Sequence, residues 1–331
     1  MIVLRSGIAV GTLTASLLCA TATFAASDVT LPGPLVTSAW LASHAHDVQI
    51  VDIRDDVDSI AVAPKFATAK DGTKKLTETG GRIPGSLSVD FNVIRQDRVE
   101  DGVTLKAMMP TSAYFQDLMD RTGVRAGVPI VIAPTGANVE SLDIAARLYF
   151  QLRYFGTRDV AILNGGNNAW IAAGNPVTTE IAKPSAGNWK ATDGDSAILA
   201  SMDQVKADLH GGAVQFVDAR STDQYLGITR KAPLVLVGGH LAGARSFPTD
   251  AISRPVDGAR EFMSPDAYAA IMSAENIDRN KPTVTYCNTG HLAAGAWFVL
   301  HEILGNPSTR LYAGSMEEWT NMKNPVVGIP Q

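Results

Sequence analysis

Cys287-Asn288-Thr289-Gly290-His291 is the stretch of this sequence whose residue types and setting suit covalent chemistry. Before it, Thr283-Val284-Thr285-Tyr286 is β-branched and aromatic, the pattern of a strand. After it, Leu292 onward carries helical spacing. Cys287 therefore falls where a parallel strand ends and a helix begins, the edge at which open α/β sheets bind ligands. A tight loop there can turn several backbone N–H groups inward as an anion-binding nest. The helix that follows adds its positive N-terminal end. Both effects favour the thiolate over the thiol and make the sulfur a nucleophile at neutral pH. Gly290 supplies the backbone freedom that such a curl needs.

The competing reading is a buried, inert cysteine. The cysteine count bears on it. The chain has 331 residues and two cysteines, Cys19 and Cys287. Cys19 lies in an N-terminal stretch where Arg5 is the sole charge, Ile8 to Ala20 is apolar, and small residues follow. That pattern predicts a signal peptide over residues 1–25 and export to the periplasm. The apolar run is short for a membrane span, so no membrane association is expected after cleavage. A mature chain holding Cys287 alone forms no internal disulfide. On the count alone, an inert and a working thiol both remain open.

An internal repeat shows what must position the loop. Val51-Asp52-Ile53-Arg54 returns as Val217-Asp218-Ala219-Arg220, 166 residues on. Gly81-Arg82-Ile83-Pro84-Gly85-Ser86 returns as Gly239-His240-Leu241-Ala242-Gly243-Ala244, 158 residues on. Asn175-Pro176-Val177 returns as Asn324-Pro325-Val326 and Trp170 as Trp319, both 149 residues on. Four matches in one order mean two homologous domains. The shrinking offset places insertions in the first copy, one of them the charged stretch Lys65 to Lys75, expected as a solvated loop. The first domain is expected over 28–178, a Pro/Gly-bearing linker over 179–197, and the second domain over 198–331.

Short apolar runs at 48–53, 130–133 and 160–163 in the first copy read as strands. So do 214–217, 244–247, 283–286 and 310–312 in the second. Such runs suit a parallel sheet buried on both faces. Helical patterns over 141–155 and 292–304 lie between strands, with Gly156 and Gly305 where C-terminal caps belong. The fold class is α/β, with a mostly parallel sheet flanked by helices in each domain.

With these residues in place, the chain resembles a tandem-domain rhodanese, of the thiosulfate and 3-mercaptopyruvate sulfurtransferase family. Each half has the Asp-x-Arg start, the Gly-turn and a closing Gly-x-x-x-x-Trp, at Gly165 to Trp170 and Gly314 to Trp319. The resemblance implies two rhodanese-like domains and a sulfurtransferase whose Cys287 takes a sulfane sulfur as a persulfide. An acceptor such as cyanide or a thiol then removes it, with no cofactor and no metal. Asn288, Thr289, Gly290, His291 and Leu292 would hold the persulfide through their backbone N–H groups. In the first copy, Pro134 stands where Cys287 stands, so that domain is expected to be catalytically silent. The donor stays open. The loop has no Arg or Lys, which suits 3-mercaptopyruvate. Arg230 and Lys231, in a stretch that borders the cleft in this family, could instead meet anionic thiosulfate, or could form a solvated loop. A sulfur carrier with little turnover of its own is the alternative function.

Other residues read as structural. Asp218 with Arg220, and Asp52 with Arg54, are expected as strand-end ion pairs tying the strand to a neighbouring loop. Trp297 and Phe298 are expected in the core. His44 and His46 lack a third ligand, and His240 has Arg82 as its counterpart in the silent copy. A phosphatase would need an Arg six residues after its cysteine to fork onto phosphate, and Ala293 stands there. With 28 Lys and Arg against 33 Asp and Glu, the net charge is −5, which argues against nucleic acid as a partner. A hydrophobic share of 46% excludes a disordered chain. The expected partners are a small-molecule sulfur donor and a thiophilic acceptor.

Overall fold

The computed structural model of the protein describes residues 29–181 and 184–329. The expected signal peptide lies outside them. Among the described residues, no helix is long and apolar enough to cross a membrane.

Two five-stranded sheets organise the molecule, each wholly parallel. In the first, the spatial order is Leu35–Val36, Val160–Leu163, Ile130–Ala133, Gln49–Arg54, Leu87–Asp90. In the second it is Leu199–Ala200, Thr309–Tyr312, Thr283–Tyr286, Gln215–Asp218, Arg245–Ser246. The two orders are the same, as the sequence repeat requires. Five of these strands are buried at every residue, Gln49–Arg54, Ile130–Ala133, Val160–Leu163, Gln215–Asp218 and Thr283–Tyr286, which is why they read as unbroken runs without alternation. The connections reverse direction between Gln215–Asp218 and Thr283–Tyr286. The crevice at their carboxyl ends is therefore the ligand-binding switch point of the second sheet.

Two expectations need correction. The charged stretch from Lys65 is an antiparallel hairpin, Lys65–Thr68 against Lys74–Glu78, and not a loop. Its strands are exposed, so no buried face imposes the alternation by which a strand is recognised. The helix expected over 292–304 is α-helical only over Leu292–Trp297 and continues as a π turn over Phe298–Ile303. Leu304 N–H reaches back to the Val299 carbonyl, which inserts an extra residue into the ladder. The segment read as a linker is also less free than its composition suggests. Trp189 is buried against Phe115 and donates its indole N–H to Thr157 Oγ1 at 2.9 Å, which straps this stretch to the first domain.

The domains share one hydrophobic core. The Val139–Tyr154 helix of the first packs on the Leu292–Trp297 helix of the second, with Phe150 edge-on to Trp297 and Tyr149 edge-on to Phe298. Each domain also sends a hairpin across. Gln96–Glu100 with Val103–Met108 reaches the second domain, where Lys106 N–H donates to Glu317 Oε1 at 2.8 Å. Arg254–Val256 with Ala259–Glu261 reaches the first, where Arg260 N–H donates to the Gly136 carbonyl at 2.8 Å.

The helix contact is close enough to test. Asp143 is fully buried, accepts from Thr249 Oγ1 at 2.6 Å, and is held protonated more readily than usual by that burial. A Cβ on Gly295 would lie 2.0 Å from Asp143 Oδ1. Gly295→Ala is expected to destabilise the protein by about 1–3 kcal/mol through overpacking. A thermal unfolding midpoint equal to wild type would contradict this packing.

Candidate active site

Cys287 follows directly on the Thr283–Tyr286 strand and is 1% exposed. Its loop is held by the neighbouring loop that leads from Thr309–Tyr312 into the Ser315–Asn321 helix. The Cys287 and Asn288 carbonyls accept the N–H groups of Met316 and Glu317, both at 3.0 Å. Ser315 Oγ accepts the N–H of Cys287 at 3.0 Å and of Gly290 at 3.1 Å, and donates to the Tyr312 carbonyl at 2.8 Å. Ser315 makes these bonds from a left-handed backbone, φ 53°. One hydroxyl thus pins both ends of the curl.

Among the described residues, the N–H groups of Asn288, Thr289, His291 and Leu292 donate to no protein acceptor. They are the donors this loop leaves unused, and Gly290 is not one of them, because its N–H is taken up by Ser315. Gly290 has φ 72°, and a Cβ there would meet the Ala313 carbonyl at 2.6 Å and Arg147 Nη1 at 2.8 Å, so only glycine fits. Asn288 Nδ2 donates to Gln224 Oε1 at 2.8 Å, and this neutral pair occupies one side of the loop. His291 is buried with its ring centroid 4.6 Å from that of Phe91. Burial, then the cations of Arg95, Arg147 and Lys231, hold its pKa well below the usual imidazole value. His291 is therefore a neutral ring at physiological pH.

The first domain contributes two groups that the sequence did not single out. Arg147, in the middle of the Val139–Tyr154 helix, is fully buried and donates from Nη1 to the Gly290 carbonyl at 2.8 Å. Arg95 lies with its guanidinium 4.1 Å over the Phe91 ring. A signal for Arg147 was present: it is a lone charge in the run Ile144-Ala145-Ala146-Arg147-Leu148-Tyr149-Phe150, which the helical period wraps in core. Arg95 has none, because only the tertiary fold brings it to the loop.

Arg230 and Lys231 are both exposed. The Lys231 charge lies close enough to act on His291 and Glu317. No such effect links Arg230 to the loop. Leu292 is partly buried at the start of its helix. The strand-end ion pairs are present as expected: Arg220 Nη2 meets Asp218 Oδ2 at 2.6 Å and the Gly239 carbonyl at 2.7 Å. Arg54 Nη2 repeats this with Asp52 at 2.5 Å and Gly81 at 3.0 Å. His240 stacks on Tyr225 at 3.9 Å and serves that contact. In the first domain, Pro134 holds the position of Cys287, and its carbonyl accepts from Asn167 N–H at 2.8 Å.

A buried cysteine at the end of a strand, unused N–H groups beside it and nearby cations make a setting of the class that suits an anionic group. The comparisons agree with that class. The family model described as "Rhodanese-like domain" matches residues 201–322. SseA of Mycobacterium leprae is 30% identical over 298 residues, covering 88% of this chain and 94% of its own length. The thiosulfate sulfurtransferase of Cricetulus griseus is 28% identical, covering 90% of this chain and 95% of its own. The crystal structure of SseA from Escherichia coli, described as a 3-mercaptopyruvate sulfotransferase, superposes with a TM-score of 0.67 at 23% identity, covering 86% of this chain and 98% of that one. The chain belongs to the tandem rhodanese family and is a sulfurtransferase.

Ser315 gives a test of how the loop is held. Ser315→Gly keeps access to the left-handed backbone and removes only the hydroxyl. Sulfur transfer is expected to fall about tenfold to a hundredfold, since small misplacement of a reacting group costs that much. Unchanged turnover in a folded variant would show that the carbonyl contacts alone set the curl.

Proposed function

We propose that Cys287 is the sulfur-receiving residue and that thiosulfate is a donor. The Cys287 thiolate attacks the outer sulfur of thiosulfate. A bond forms between Sγ and that sulfur, the donor's own S–S bond breaks, and sulfite leaves with the electron pair. Free N–H groups of Asn288, Thr289, His291 and Leu292 stabilise the anionic persulfide. A thiophile such as cyanide or a thiol then attacks the terminal sulfur and regenerates the thiolate. This is a ping-pong cycle that uses no group beyond the chain itself. The observation that carries the reading is the position of Cys287, sealed at the switch point under four unused donors. The silence of the first domain follows from Pro134, which offers neither a nucleophile nor an N–H. The names of the thiosulfate-using relatives support the donor, and the composition of residues 1–25 supports an exported location.

Intact mass after incubation with thiosulfate tests the cycle. The wild-type protein should gain one sulfur atom, which cyanide removes, and Cys287→Ser should gain none. Thiocyanate formation by Cys287→Ser at the wild-type rate would refute the assignment.

Lys231 and Arg230 separate by position. Lys231→Gln is expected to raise the KM for thiosulfate about two- to fivefold at low ionic strength with little change in kcat, and the difference should vanish with added salt. Arg230→Gln should leave both constants unchanged. Equal effects from the two substitutions would return the pair to the joint role that the sequence suggests.

A further inference from the structure

Three buried nitrogen atoms around Cys287 have no acceptor: Nε of Arg95, Nε of Arg147 and Nε2 of His291. Two belong to cations. Among the described residues, neither guanidinium forms an ion pair with a carboxylate, and no acid contributes to the electrostatics of either. Arg147 is 0% exposed and His291 8%. Proteins seldom leave buried cations unpaired, because desolvation is then offset by nothing. Here the pair also repels itself. Burial, and then the Arg95 charge, pull the Arg147 pKa down to about 9. The one favourable influence on both cations comes from Cys287, which lies close enough to act on each of them.

The contacts bring the two cations to one place. Arg147 Nη1 is 2.8 Å from the Gly290 carbonyl, inside the cysteine loop. Arg95 lies over Phe91, whose other neighbour is the His291 ring. Arg147 is sealed and supplies a field. Arg95 is only partly buried and can meet a molecule in the cleft. The cysteine loop has no cation of its own, and Gln224 beside it is neutral.

We infer that Arg95, backed by the field of the sealed Arg147 and like it supplied by the first domain, clamps the oxyanion end of the sulfur donor, and that the two charges together select doubly charged, sulfonate-type donors over neutral ones. A sulfonate end presents three oxygens, which suits guanidinium groups with several N–H donors in fixed directions. The free nitrogen of His291 adds a further polar contact. The site is unfavourable when empty and is completed by the arriving dianion. This inference rests on Cys287 being the residue that receives the sulfur.

Charge-matched alkylation of Cys287 tests it. Iodoacetate and iodoacetamide react with the same thiolate by loss of iodide and differ in charge, so the ratio of their rates reports the field and not the reactivity of the sulfur. Among the described residues the Arg95 side chain makes no hydrogen bond, which makes Arg95→Gln a variant that should fold. The iodoacetate-to-iodoacetamide ratio is expected to fall about tenfold in Arg95→Gln and to recover in large part in Arg95→Lys, with a parallel rise in the KM for thiosulfate. An unchanged ratio in Arg95→Gln would overturn the clamp and leave Arg95 as a packing partner of Phe91. A wild-type protein inert to both reagents at Cys287 would overturn the nucleophile assignment itself, and the clamp with it.

Discussion

The guanidinium of Arg147 is lodged between two domains and bonded to the carbonyl of Gly290, with no carboxylate beside it among the described residues. Taking such a charge out of water costs several kcal/mol unless something compensates. Part of the compensation is structural. The Gly290 carbonyl turns toward Arg147 because the loop curls, and the loop curls because Ser315 holds the N–H groups of Cys287 and Gly290. Gly290 must lack a side chain for the same reason. The remaining deficit is left for an anion. Loop shape, interdomain packing and the sign of the field at Cys287 thus follow from where one cation is buried.

This arrangement gives the first domain more than a wall's role. Its sheet ends in Pro134 where the second ends in Cys287, yet its helix over Val139–Tyr154 and the segment entering its hairpin carry Arg147 and Arg95 to the other domain's loop. The crossing hairpins make the exchange mutual, since Arg260 N–H of the second domain bonds the Gly136 carbonyl, two residues after Pro134. Each domain completes the loop region of its neighbour, and only the second domain's loop holds a cysteine.

The fold was legible because its signals were local or repeated. Ile130–Ala133, Val160–Leu163 and Thr283–Tyr286 coincide with the expected runs, since strands buried on both faces leave continuous apolar sequence. Cys287 was legible from the strand before it and the helix after it. The edge strands Leu35–Val36 and Leu199–Ala200 were not, because two residues carry no period. The crossing hairpins were missed for a different reason: their few buried residues, such as Leu105 and Ala259, are covered only once the chain has folded, and the strands beside them are mostly exposed. The cations were sought within the second domain, at Arg230 and Lys231 in a stretch that borders the cleft in this family, whereas Arg95 and Arg147 come from the first domain, 192 and 140 residues before Cys287. Charge acts through space, so distance along the chain is a poor guide to it.

The cysteine loop is held by the carbonyls of residues 287 and 288, by the Ser315 hydroxyl and by Gly290, and none of these contacts involves sulfur. The carbonyl of Pro134 is held in the corresponding way by Asn167. The side chain at the strand end is therefore uncoupled from the stability of the loop that presents it. After a gene duplication, one copy of such a domain could lose its nucleophile by a change at a single position and still fold, and the lineage would keep a partner whose remaining residues were free to adapt to the surviving site.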